Sequence, residues 1–155
     1  KDKNLLTQSN YNLAFIPGAF CKGELDQPQD RYEFLRLLLT DDLDRSLQLS
    51  QHIVAQFVAK LQVPLISPEE KTSYTQSSCL IQSPGIYCRN LALTRLVHSP
   101  ICYGETLIQN HIEEAFLLGA KDDCILGIPC SKRVLEVAKA YFEGIKNYFA
   151  SIELE

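Results

Sequence analysis

The chain has 155 residues, a formal net charge of −4 and no methionine or tryptophan. A chain of this length suits one domain, which buries roughly 70% of the surface of its unfolded chain. The acidic balance, with no basic cluster, argues against nucleic acid or an anionic membrane as the main partner. No apolar run approaches the roughly 20 residues that span a bilayer. Because position 1 is not methionine, we expect a processed chain or a piece of a longer one.

The first part of the sequence predicts one strand followed by two helices. Residues 12–16, an asparagine followed by four apolar residues, form a strand candidate that ends at a Pro-Gly turn. A helix is predicted over about residues 29–38. A longer amphipathic helix begins near Thr40 and ends before Pro64, with apolar residues at helical spacing that face a sheet. His52 lies opposite this apolar stripe, so we expect it to face solvent.

A long polar stretch, residues 67–83, follows the second helix. It is rich in Ser, Thr, Gln and Pro, which predicts a loop with a brief strand at residues 79–81. Two interpretations stay open: a loop that rims a substrate cleft, or a disordered surface insertion. Residues 86–97 then predict either a strand or the start of a helical turn. We expect Arg89 and Arg95 in this stretch to be solvated rather than to bind an anion.

An acidic residue after a short apolar run is the main candidate for chemistry. Residues 101–103 predict a buried strand, and Glu105 follows at its carboxyl end, where open α/β sheets place their ligands. Asn110 and Glu113 have the spacing of a capping box, which predicts a helix over about residues 111–118. From this local pattern, Glu105 is either a catalytic acid or a solvated loop acid.

The last part of the sequence predicts a buried connection at residues 125–128 and a final helix after Ser131. The predicted apolar stripe of this helix consists of Val134, Ala138, Tyr141, Ile145 and Tyr148. Alternation of strands and helices along the whole chain predicts an α/β fold. We expect a mixed or parallel sheet in a single layered domain, with helices packed on both faces.

The stretch from Ser99 to Leu118, SPICYGETLIQNHIEEAFLL, contains a proline, an apolar run, Glu-Thr, an Asn, acidic residues and Leu-Leu. It resembles the carboxyl-terminal motif of the zinc-dependent N-acetylmuramoyl-L-alanine amidases, the peptidoglycan hydrolases of bacterial cell walls, and the similarity is strongest over 84–118. The resemblance implies that Glu105 is catalytic, moving a proton from a zinc-bound water to the leaving amine. One departure is that Leu107 and Ile108 stand where the family has glycine and an aromatic residue.

The same resemblance implies a zinc cofactor, although no ligand is assigned. The family binds zinc through a histidine in a glycine-rich loop, a glutamate and a histidine in a His-Ala-Asn motif, and none of these motifs occurs here. His52, His98 and His111 do not stand at matching positions. We expect His98 at the opposite end of its strand from Glu105, and His111 at the rim of the site.

The six cysteines form no C-x-x-C pair and show no zinc-site spacing. Cys88 and Cys102 fall in apolar runs, so we expect them to behave as small buried hydrophobic residues.

Three functional hypotheses follow. The first is an amidase that cleaves the bond between N-acetylmuramic acid and L-alanine in peptidoglycan or muropeptides, in the periplasm or another extracytoplasmic part of the cell envelope. The second is an amidase-like domain without zinc that binds the cell wall or regulates another hydrolase. The third is an unrelated α/β domain that shares the pattern by chance. The chain is then either a single domain over residues 1–155 or the carboxyl-terminal part of an amidase-like catalytic domain.

Overall fold

A computed structural model describes residues 9–70, 72, 75 and 79–153, with the backbone alone at 79 and 80. In chain order, its elements are β1 (Leu13–Ile16), α1 (Pro28–Leu39), α2 (Asp42–Leu61), β2 (Cys79–Ser83), β3 (Ile86–Arg89), α3 (Ala92–Leu96), β4 (Tyr103–Glu105), α4 (Ile112–Gly119), β5 (Asp123–Ile125), β6 (Ile128–Cys130) and α5 (Lys132–Ile152). Four strands form a mixed sheet in the order β2-β3-β1-β4, and β5 pairs with β6 in a separate hairpin. The predicted α/β class with a mixed sheet is confirmed.

The strand β1 lies inside the sheet and organises it. It pairs in parallel with β3, with Ala14 opposite Ile86, and antiparallel with β4, with Leu13 opposite Glu105. All four residues of β1 are buried. A strand that is covered on both faces needs a continuous apolar run, which explains the Leu-Ala-Phe-Ile sequence of β1.

One face of the sheet packs against α2 and α5. Because side chains alternate along a strand, Ala14 and Ile16 of β1 share this face, where they meet Phe57 of α2 and Ala140 of α5. The opposite face carries Leu13, Phe15 and Tyr87. There, the cover that the structure describes comes from residues outside the helices, namely Tyr11, Ile66, Leu91 and Ile108.

The helices α2 and α5 approach each other closely at Gly144. A Cβ atom at this position would lie 2.7 Å from the Cα of Ile53, so the contact requires glycine. The buried residues of α5 are Ala140, Gly144 and Tyr148. The predicted stripe is therefore correct at Tyr148 but wrong at Val134, Ala138 and Ile145, which are exposed. The helix turns Gly144 toward α2 together with Tyr141 and Tyr148, whose rings pack on Phe57 and His52 of α2.

The strand and the two helices predicted for the first part of the chain are confirmed. The elements β1, α1 and α2 begin and end within about two residues of the predicted bounds, as expected for strong periodic signals. The brief strand predicted at residues 79–81 is β2, which extends to Ser83. Residues 71, 73, 74 and 76–78 of the predicted loop 67–83 lie outside the described residues. None of the described helices has the length and apolar character needed to cross a bilayer.

Two predictions for the later part of the chain are wrong. The stretch 86–97 contains both a strand and a helix, because β3 ends at Arg89 and α3 begins at Ala92. The Thr94 hydroxyl donates to the backbone carbonyls of Arg89 and Leu91 and so holds the chain between the two elements. Residues 125–128, predicted as a buried connection, form the exposed turn of the β5–β6 hairpin. Leu126 at its tip is 97% exposed and has a φ of 51°.

Candidate functional site

Glu105 is the last residue of β4, as the prediction of a strand end requires. Because β4 runs antiparallel to β1, however, Glu105 lies opposite Leu13 at the beginning of β1. The carboxyl ends of the parallel strands β1 and β3 lie at the other edge of the sheet. The predicted position at the ligand-binding edge of a parallel sheet is therefore wrong, because sequence alone did not show the direction of β4.

The strand that carries Glu105 begins two residues later than predicted. The backbone N–H of Ile101 donates to the Ser46 hydroxyl of α2 at 3.0 Å, so this residue bonds outside the sheet ladder. Ile101 and Cys102 are half-buried and precede β4. As a result, Tyr103 and Glu105 are the side chains that β4 presents on the face opposite the helices.

Glu105 opens into a groove of about 690 Å³. Its lining residues are Ser9, Tyr11, Glu70, Thr72, Tyr103, Gly104, Glu105, Thr106, Leu107, Ile108, Gln109 and Asn110. This volume lies within the range of small-ligand sites in proteins. The charged residues of this lining are Glu70 and Glu105, and the ion pairs of the described residues involve neither of them.

The residues beside Glu105 along β4 fix its direction. The Tyr103 ring packs on Phe15, with the ring centres 6.4 Å apart, and Glu105 shares this face because side chains alternate along a strand. Gly104 faces α5, where the Tyr141 hydroxyl donates to its carbonyl at 3.0 Å. Burial raises the pKa of Tyr141 to about 12, so the hydroxyl remains protonated as a donor.

Two opposing effects act on the pKa of the Glu105 carboxyl group. Its partial burial raises the pKa, and the positive charge of Arg89 acts in the opposite direction without cancelling the shift. Arg89 was expected to be solvated, but its guanidinium carbon lies 5.4 Å from the centre of the Phe15 ring and the residue is half-buried. The expectation for Arg95 is also wrong, because it forms an ion pair with Asp30 at 3.3 Å.

Two asparagines near the start of β1 hold the loop that follows Glu105. The buried Asn12 side chain donates to the Val63 carbonyl at 2.7 Å and accepts a hydrogen bond from the Thr106 hydroxyl. The Asn10 side chain accepts the backbone N–H of Ile108 at 3.2 Å. Between these contacts, Leu107 is buried and has a positive φ of 62°. The groove floor is therefore fixed by residues far away in the sequence.

The helix α4 begins one residue later than the capping-box prediction implies. Its N-cap is His111 rather than Asn110, and the His111 ring accepts the backbone N–H of Glu114 at 3.5 Å. Glu114 itself is buried and pairs with Arg133 at 2.6 Å, while Asn10 donates to it at 2.9 Å. Burial opposes ionisation, but these hydrogen bonds and the Arg133 charge hold the pKa of Glu114 below its ordinary value. The first turn of α4 is thus attached to both the groove loop and α5.

The histidines occupy separate places in the fold. His52 packs edge-on against Tyr148, with ring centres 6.4 Å apart, and is half-buried rather than solvent-facing as predicted. The His98 ring lies 2.9 Å from the buried carboxylate of Glu33 on α1. His111 caps α4. Within the described ranges, no three His, Cys, Asp or Glu side chains are grouped so that they could hold a metal ion. These residues therefore do not fit a zinc site beside Glu105.

Cys88 and Cys102 behave much as small apolar residues. Cys88 is buried in the core, as predicted, and Cys102 is half-buried. Burial raises the pKa of the Cys102 thiol to about 11, which keeps it protonated and unreactive at neutral pH.

Sequence reasoning identified Glu105 but missed three residues that the structure makes prominent. Tyr103 could have been found from its position two residues before Glu105 on the same strand, because residues i and i+2 share a face. Glu70 reaches the groove from a distant, polar part of the chain, and no local signal places it there. Glu33 is buried in a helix of modest amphipathicity, and no local sequence pattern predicts its contact with His98.

Comparisons of the chain with protein-family models, with curated proteins and with solved structures found no match. The resemblance to the amidases therefore remains a prediction from the sequence motif.

Proposed function

We propose that the Glu105 groove binds peptidoglycan or its muropeptide fragments, as an amidase-like domain of the cell envelope. The observation that carries the proposal is the coincidence of motif and groove. Glu105, Thr106 and Asn110, which belong to the sequence motif that resembles the amidases, all line this groove. The groove holds the half-buried Glu105 carboxylate, a second acid, Glu70, and several neutral polar side chains, an arrangement that orients a polar ligand through hydrogen bonds.

A second candidate function is hydrolysis of the amide bond between N-acetylmuramic acid and L-alanine. It is favoured by the raised pKa of Glu105, because a carboxyl group exchanges protons best when its pKa is close to the working pH. In that reaction, Glu105 would accept a proton from the attacking water and donate a proton to the leaving amine. We rank binding first, because the described residues do not fit the set of zinc ligands that the amidase resemblance implies.

Co-sedimentation with purified peptidoglycan sacculi tests the binding proposal. We expect the wild-type chain to sediment with sacculi and Glu105→Ala to lose most of this binding. Glu113→Gln is the matched control, because Glu113 is an exposed acid of α4 outside the groove lining. Equal sedimentation of Glu105→Ala and wild type would contradict the proposal, as would a wild-type chain that stays in solution.

Release of soluble fragments from the same sacculi, with and without added zinc, tests the hydrolytic candidate. If the chain hydrolyses the amide bond, new amino-terminal L-alanine appears with the wild type and not with Glu105→Gln. If the chain binds sacculi but releases no soluble fragments, the hydrolytic candidate is rejected and the binding function stands. Release that persists in Glu105→Gln would show that another residue performs the proton transfer.

A further inference from the structure

Tyr103 presents an aromatic ring to the groove next to Glu105. One side of the ring is supported by Phe15, yet Tyr103 remains 37% exposed and lines the groove. Glu105 stands two residues further along the same face of β4. The groove therefore places an accessible aromatic ring and a half-buried carboxylate side by side on a regular strand.

The acidic lining of the groove favours the glycan of peptidoglycan over its stem peptide. The charged lining residues that the structure describes, Glu70 and Glu105, are both acidic, and the other polar lining side chains are neutral. The stem peptides of peptidoglycan carry more carboxylates than amines, so like-charge repulsion from Glu70 and Glu105 disfavours them, and the charge of Arg89 offsets only part of this repulsion at Glu105. The glycan is uncharged along its sugar rings and offers hydroxyl and acetamido groups for hydrogen bonds.

We infer that the groove takes the glycan of its ligand, with a sugar ring packed on Tyr103 and its hydroxyls donating to Glu105. This inference rests on the proposed binding function. The ring face of an aromatic residue carries a partial negative charge, which attracts the polarised C–H groups on the flat side of a pyranose. A carboxylate accepts shorter and stronger hydrogen bonds than a neutral oxygen, which suits Glu105 as the partner of the hydroxyls.

Calorimetric titration with two separate probes tests the inference. The probes are a tetramer of N-acetylglucosamine and a free stem peptide that lacks sugar. We expect the full chain to bind the tetramer and not the peptide. Tyr103→Phe keeps the ring and should bind the tetramer within a few-fold of the wild type. Tyr103→Leu removes the ring and should weaken binding by about tenfold or more, as expected where one aromatic contact carries much of the binding energy.

Tyr32→Leu is the matched control, because Tyr32 is an exposed tyrosine of α1 that lies outside the groove lining. Thermal unfolding of each variant separates a loss of contact from a loss of fold, since leucine keeps apolar packing against Phe15. A wild-type chain that does not bind the tetramer overturns the inference, as does equal binding by Tyr103→Leu. Sedimentation with sacculi measures the proposed binding function independently of the sugar probe. A chain that sediments with sacculi but does not bind the tetramer therefore contradicts only the glycan inference.

Discussion

The close contact between α2 and α5 at Gly144 leads to a prediction whose sign can be worked out. In an exposed part of a helix, Gly→Ala stabilises by up to about 1 kcal/mol, because alanine has the higher helix propensity. At Gly144, the new methyl group would lie 2.7 Å from the Cα and 2.9 Å from the Cγ1 of Ile53. A backbone atom cannot move away as a flexible side chain can, so the two helices must separate.

We therefore expect Gly144→Ala to lower the free energy of unfolding. Overpacking of a tight contact costs about 3 kcal/mol at the upper end of its usual range, and the propensity gain offsets about 1 kcal/mol of this. The net loss is about 2 kcal/mol, which corresponds to a Tm decrease of about 4–8 °C for a chain of this size.

Urea unfolding followed by circular dichroism measures the effect. Gly119→Ala provides the control, because Gly119 also lies in a helix and has no positive φ, and a methyl group added there would meet no atom within 4 Å beyond its chain neighbours and its own helix backbone. This control should be neutral or stabilising by up to about 1 kcal/mol. A Gly144→Ala variant as stable as Gly119→Ala would refute the reasoning, because propensity would then outweigh the steric contact.

Three further predictions concern charge and backbone conformation. Glu114→Ala should lower the free energy of unfolding by about 3 kcal/mol, because it leaves the half-buried Arg133 guanidinium without its main partner. Lys146→Ala breaks an exposed pair and should change the free energy of unfolding by less than about 0.5 kcal/mol, so similar urea midpoints for the two variants would contradict this expectation. Glu105→Gln should stabilise the chain at neutral pH, because the raised pKa of Glu105 means that folding disfavours its charged form. This gain should disappear as the pH falls below the ordinary carboxyl pKa, where Glu105 is protonated in both states, and a gain that is constant from pH 3 to pH 8 would rule out this cause. Leu126→Asn should stabilise the folded chain by about 0.5 kcal/mol or more, measured by thermal unfolding. The reason is that Leu126 and Gly127 both have a positive φ at the hairpin turn, where the sequence Asn-Gly is favoured. Leu126→Val should have the opposite effect.

The elements that could be predicted from the sequence are those with long periodic or continuous apolar patterns. The run at β1 is apolar because both of its faces are buried, and the spacing in α2 reflects one face against the sheet. Ser131 was also correctly assigned as the start of α5, where its hydroxyl accepts the backbone N–H of Val134 at 3.3 Å. In each case, the local signal and the tertiary packing require the same residues.

The features that could not be predicted depend on contacts between distant residues. The buried face of α5 is decided by the approach of Gly144 to Ile53, a contact that apolar periodicity does not report. The apolar turn around Leu126 was assigned to the interior because its composition suggests burial, whereas it is exposed. The setting of Glu105 follows from the antiparallel pairing of β4 with β1, and the direction of a three-residue strand has no signature in its own sequence.

The central place of β1 in the sheet has a consequence for how the chain folds. The partners of this early strand come from much later parts of the chain, because Ala14 pairs with Ile86 and Leu13 pairs with Glu105. Contacts between residues so distant in sequence form slowly, since loop closure must precede any gain from pairing. During synthesis, β1 therefore leaves the ribosome long before β3 and β4 exist. We expect the newly made chain to hold this apolar strand without β3 until synthesis has passed Arg89, and without β4 until it has passed Glu105, the same residue on which the groove depends.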